Sequence, residues 1–247
     1  MLKQKYFLTD IFILSTEKQP IKLSWRKIEW LHIYINNRVQ LDRFGLRVKD
    51  LSNRLTRLHR KQGDMDGACV VYCVIMALLC IGHINGADID VYPDVQRGRK
   101  GNKDRFLDHL LQEQGFVREG YYLSTMAKEI RMYFSDINVM YHRKKENFLD
   151  HIFAYIEDDC PVIVTVLNAR MNHAIFVIGV EYNELDEVVK LFCLDPAEPL
   201  DNVSYWNCII DTSKGIDNDS LCWYITNGIK SKVEIKEVLS LEECYSI

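Results

Sequence analysis

Cys69 opens a long apolar run, ACVVYCVIMALLCIG, directly after the polar, acidic turn QGDMDG. A thiol placed where a loop becomes a helix lies against the positive end of the helix dipole, which favours thiolate and lowers its pKa. Far downstream the chain supplies His173 in RMNHAIFVIGVEY and Asp195 in VVKLFCLDP, each beside a strand-like apolar stretch. HAIFVIGVEY and EVVKLFCLD flank the short polar stretch 183–186 and are expected to form an antiparallel hairpin, in which paired residue numbers share a constant sum. A turn centred on Glu184 or Leu185 sets that sum at about 368 to 370, and His173 with Asp195 gives 368. The two then sit side by side at the open end of the hairpin, where a carboxylate orients an imidazole and fixes its tautomer.

An imidazole held this way needs a nucleophile on its other side, and Cys69 is the natural supplier. The thiol attacks a carbonyl carbon; His173 takes its proton and later protonates the leaving group. The backbone N–H of Cys69 is one expected oxyanion donor, and the side-chain amide of Gln62, seven residues upstream, is a candidate for the second. Each residue also has a plain structural reading: a small buried hydrophobe, a strand-end histidine, turn chemistry before Pro196, and a solvated glutamine.

The elements that must bring these residues together follow from periodicity. The Cys69 run reads as a buried helix, and helices are expected over 103–114, 124–134 and 146–158. From Pro161 onward β-branched and aromatic residues dominate, in PVIVTVLN, HAIFVIGVEY, EVVKLFCLD, VSYWNCII, CWYI and KVEIKEVL, with INVMYH as an earlier strand. Helices first and an antiparallel sheet second is an α+β arrangement. Two amphipathic helices are expected before them. One spans 24–39, and the other spans 48–61, with Leu51, Leu55 and Leu58 on one face and Lys49, Arg57 and Arg60 opposite. The division expected is a basic helical extension over 1–61 and a catalytic domain over 62–247.

The 247 residues, 48% hydrophobic, are enough to bury a core without disulfide or metal. The net charge of -4 conceals an asymmetry, because the first sixty residues carry 13 Lys+Arg against 5 Asp+Glu and the remainder 18 against 30. A basic arm of this kind docks on an acidic body or is reserved for another partner. No zinc-finger, helix-turn-helix or aromatic-basic RNA pattern accompanies it, so nucleic-acid binding is disfavoured. The eight cysteines fall largely inside apolar runs and read as reduced thiols. The apolar run is too short to cross a bilayer and the N-terminus is a poor signal peptide, so a cytoplasmic protein without membrane contact is expected.

The motifs QGDMDGAC, NHAIFVIGV and LFCLDP, in that order, resemble those of the papain-like cysteine peptidases, and most closely the branch of leader peptidases of bacteriocin exporters. The resemblance covers 62–196. It implies a papain-like fold, a central nucleophile helix packed on an antiparallel sheet, with Cys69 as nucleophile, His173 as base, Asp195 as orienting carboxylate and Gln62 in the oxyanion site. It departs at Val70, where the branch has Gly, and in Gln62 standing one residue further from Cys69; Asp66 is the alternative polar residue in that loop.

The expectation is therefore a bacterial, cytoplasmic cysteine peptidase that cleaves a peptide or isopeptide bond through a thioester acyl-enzyme, with no cofactor or metal. Its partner is a polypeptide substrate, with a protein partner as a role for the basic N-terminal helices. Two alternatives stay open. The same triad serves an acyltransferase, transglutaminase or deamidase, and the scaffold without the chemistry serves as a binding module.

Overall fold

The computed structural model describes residues 31–63, 67–90, 101–110, 121–143, 147–213 and 221–244. It begins with β1 (His32–Ile35) and three short strands, β2 (Gln40–Asp42), β3 (Gly45–Lys49) and β4 (Leu55–Arg57), which form a sheet of their own. Then come α1 (Cys69–Cys80), the single turn α2 (Ala87–Asp90), α3 (Asn102–Asp108), α4 (Leu123–Tyr133), β5 (Ile137–His142) and α5 (Phe148–Glu157). The remainder is β6 (Val162–Leu167), β7 (Asn172–Tyr182), β8 (Val188–Leu194), β9 (Cys208–Asp211), β10 (Leu221–Thr226) and β11 (Ile229–Glu243).

These last strands overturn the expected α+β, papain-like fold of a central nucleophile helix packed on an antiparallel sheet. β6 pairs with β7, β7 with β8, β8 with β9, β9 with β10, β10 with β11, and β11 returns to β6, so six antiparallel strands close into a barrel. Closure leaves the six barrel strands joined in a ring, with β1 added on β7 and β5 on β11 outside it. The ladder shifts register between Val177 and Gly179 and between Ile235 and Glu237, and irregularities of this kind increase local twist where a sheet must curl. Strand propensity identifies the segments; it carries no information on which strand closes on which.

Alternation along the barrel strands separates two cores. One face supplies Val164, Ile175, Leu191, Ile210, Tyr224 and Val233, one from each of the six strands, as inward-facing residues do, and α5 adds Phe148, Ile152 and Ile156 to this cluster. The opposite face supplies Ile163, Ala174, Phe176, Ile178, Phe192 and Leu194, which pack with α1. α1 is buried on every side except at Tyr72, which explains why its residues show apolar character all round the helix.

The basic N-terminal segment is not helical where it is described. Residues 32–35 pair with β7, and 45–49 and 55–57 are strands. Leu46, Val48 and Leu58 are buried with α1, whereas Leu51 and Leu55, counted toward the helical face, are exposed. The helical spacing of leucines runs across a turn: the Asp50 carboxylate accepts the N–H groups of Ser52 and Arg54 at 3.0 Å, and Asn53 takes a φ of 58°. An Asp at the head of such a turn competes with helix by supplying a side-chain acceptor to the backbone. Residues 24–30 of the first expected helix, and Asp66, lie outside the described residues.

β1 lies so close to β7 that a Cβ on Gly179 would stand 2.6 Å from the Tyr34 carbonyl oxygen. Gly179→Ala is therefore expected to destabilise the protein by about 1–3 kcal/mol through overpacking. The urea midpoint measures it, and an unchanged midpoint would show that β1 can move aside at no cost.

Candidate functional site

The barrel brings Cys69, His173 and Asp195 together. Residue numbers in the β7–β8 ladder sum to 370 beside the site, with Phe176 opposite Leu194 and Val177 opposite Cys193. Asp195 thus comes level with the position two before Val177, on the same face as His173 and diagonal to it rather than directly opposite. A diagonal neighbour is within reach of long side chains. His173 Nε2 lies 2.6 Å from Asp195 Oδ1, with both groups buried. With Nε2 committed to the carboxylate, Nδ1 is the ring nitrogen left for Cys69, whose thiol hydrogen-bonds the same imidazole.

Cys69 is the first residue of α1 and is 8% exposed, with Ala68 before it as the helix cap. Its sulfur accepts the backbone N–H of Ala174 at 3.4 Å. Burial acts to raise its pKa, but the hydrogen bond and charge of His173, with the N–H groups of Ala174 and Val70, outweigh it and hold the thiol below its usual range. For His173 burial acts downward, and the hydrogen bonds and charges of Asp195 and Cys69 outweigh it, pushing the ring up to about 10. Both shifts favour thiolate beside imidazolium. The other buried thiols Cys73, Cys80, Cys160, Cys208 and Cys222 move the opposite way, chiefly through burial.

Asp195 is fully buried, and burial disfavours its charge; the hydrogen bond and charge of His173, the Tyr224 hydroxyl and the Ala197 N–H overcome that and keep it ionised. Tyr224 donates to Oδ2, and Ala197 N–H donates to Oδ1 at 2.7 Å. Asn207 clasps the same residue's backbone: its Oδ1 accepts the Asp195 N–H at 2.7 Å, and its Nδ2 donates to the Asp195 carbonyl at 2.9 Å. The His59 ring adds a third contact, with Nε2 3.0 Å from that carbonyl.

Gln62 is drawn to the same corner, its backbone N–H donating to the Pro196 carbonyl at 2.8 Å. The structure therefore gathers Cys69, His173 and Asp195 into one cluster and ties the backbone of Gln62 to the residue after Asp195. It also adds Tyr224, Asn207 and His59, which the sequence reading did not select. Tyr224 and Asn207 sit in strand-like stretches with no motif, and it is the pairing of β8 with β9 and of β9 with β10 that sets them against Asp195. Among the described residues, no group of three or more His, Cys, Asp or Glu is placed to hold a metal ion. No helix of the described residues is long and apolar enough to cross a membrane.

Since the folded His173 keeps its proton after the unfolded chain has lost it, its contribution to stability is complete below the ordinary value of 6.5 and disappears as pH rises toward about 10. Asp195→Asn removes the principal group that raises the ring, so its titration, followed by imidazole NMR, should fall from about 10 toward 6.5. A ring that titrates unchanged in that variant would show that the carboxylate does not hold the imidazolium. No family model and no curated protein matches the chain, so a functional assignment has to be argued from this geometry.

Proposed function

We propose that the protein is a thiol hydrolase that cleaves a peptide or isopeptide bond. The observation that carries this reading is a thiol at a helix start, its pKa lowered by an imidazole whose far nitrogen lies 2.6 Å from a buried carboxylate. Nothing in a plain core demands that combination, because a buried cysteine is normally driven toward the neutral thiol.

In the proposed reaction the Cys69 thiolate forms a bond to the carbonyl carbon, and the tetrahedral oxyanion is received by the backbone N–H of Cys69 and the Gln62 side-chain amide. As the carbon–nitrogen bond breaks, the His173 imidazolium gives its proton to the departing amine. Water then attacks the thioester; His173 takes a proton from it, the carbon–sulfur bond breaks, and the carboxylic acid leaves with the thiolate restored. Asp195 stays ionised throughout and keeps the ring in one orientation.

The eight free cysteines suit a reducing compartment, which supports a cytoplasmic setting.

Iodoacetamide at pH 6, with the adduct mapped by mass spectrometry to separate Cys69 from the exposed Cys244, tests the proposal. Cys69 should be alkylated while the other buried thiols Cys73, Cys80, Cys160, Cys208 and Cys222, whose pKa values are raised rather than lowered, are spared. His173→Ala should slow Cys69 alkylation by ~10-fold or more, because the thiol returns toward its ordinary pKa. A Cys69 that stays unmodified in the wild-type protein, or one that reacts equally fast without His173, would overturn the hydrolase reading.

A further inference from the structure

A cavity of about 460 Å³ lies beside the site, bordered by Arg57, His59, Arg60 and Lys61 together with Tyr72 and Leu200. None of the triad lines it, yet it adjoins the triad on two sides. Tyr72 stands one helical turn beyond Cys69 on the same side of α1. His59 is the residue whose ring contacts the Asp195 carbonyl.

Its charge is one-sided. Three of the bordering residues are cations, and among the described residues no carboxylate lines the cavity. Of the acidic residues that adjoin the lining along the chain, Glu198 directs its carboxylate to the Asn227 amide and Asp88 accepts from Lys103 Nζ at 2.9 Å. Arg57 and Lys61 are exposed, and neither has a carboxylate partner among the described residues. Arg57 also stands directly opposite Arg47 in the β3–β4 ladder, where Arg47 has the Asp42 carboxylate at 3.8 Å. Arg57 and Lys61, exposed at the rim of a cavity that Tyr72 of the nucleophile helix also lines, suit an anion that arrives with the substrate.

We propose that this cavity is a substrate subsite of the Cys69 centre and takes an acidic side chain, so that the polypeptide cleaved carries Asp or Glu close to the bond attacked. The inference rests on the hydrolase reading and specifies its substrate class. Arg57 and Lys61 would meet the carboxylate, Arg57 with the fork geometry that suits two oxygens. The aromatic face of Tyr72 and the apolar Leu200 would enclose the methylene stem.

The test uses the full chain and a set of epoxysuccinyl probes extended on both sides by alanines, with a single Glu, Gln or Lys placed at each position in turn. The rate of Cys69 modification is the readout. At one position Glu should react ~10-fold faster than Gln, and Lys more slowly than either, as charge-assisted recognition requires. Salt at about 0.5 M should shrink the gap, since the cations are exposed and screened. The variants Arg57→Gln and Lys61→Gln should each narrow the gap, and the double variant should close it; circular dichroism establishes that the double variant is folded.

Cys69 modification that does not distinguish Glu from Gln at any position overturns the subsite and leaves the hydrolase reading standing. A preference that survives in the folded double variant does the same. Protection of Cys69 by a single-stranded oligonucleotide, with no discrimination among the peptides, assigns the cavity to phosphate and also overturns it. A Cys69 inert to every probe, iodoacetamide included, overturns both.

Discussion

Asp195 is a charge buried where no water reaches, and the architecture around it is the set of contacts that makes such a charge tolerable. An unpaired carboxylate in a protein interior costs several kcal/mol. Here each of its oxygens has a donor: His173 and the Ala197 N–H share one, and the Tyr224 hydroxyl takes the other. Its backbone is held as firmly, by Asn207 on both sides of the residue and by His59 at the carbonyl. These groups come from β7, β10, the approach to β9 and the segment after β4. They meet because β7, β8, β9 and β10 pair in succession and curl round, and because the segment after β4 folds against them, so the ionised carboxylate and this topology support each other.

The same dependence separates one cysteine from the rest. Cys69 and Cys73 stand one turn apart on α1, and both are buried. Burial alone should push both toward the neutral thiol, and at Cys73 it does. Cys69 escapes because it begins the helix, where backbone N–H groups are not yet committed to helical bonds, and because His173 and Ala174 present an imidazole and an N–H to its sulfur. A shift of one turn would have left an inert core residue.

The basic segment gains a meaning it lacks as a stretch of charge. Its leucines at 51, 55 and 58 have helical spacing, but Asp50 caps a turn between them and the segment becomes a hairpin. Two of the residues expected on a solvated helix face, Arg57 and Arg60, instead border a cavity next to the site. The helical reading failed because a three-residue coincidence of spacing cannot be told from a strand, a turn and a strand without knowing what each side chain packs against.

By itself the sequence determined the parts whose cause is local. The thiol at a loop-to-helix junction, the apolar helix behind it, the later helices and the strands from β5 onward all follow from the order of neighbouring residues. Even the approach of His173 to Asp195 was legible, because a short turn sets hairpin register to within a residue or two. The tertiary structure alone decided that the sheet closes, that the carboxylate sits diagonal to the ring, and that Tyr224, Asn207 and His59 surround it. Those are outcomes of pairing between strands far apart in the chain and of the need to satisfy a buried charge from several directions at once, and no local pattern encodes either.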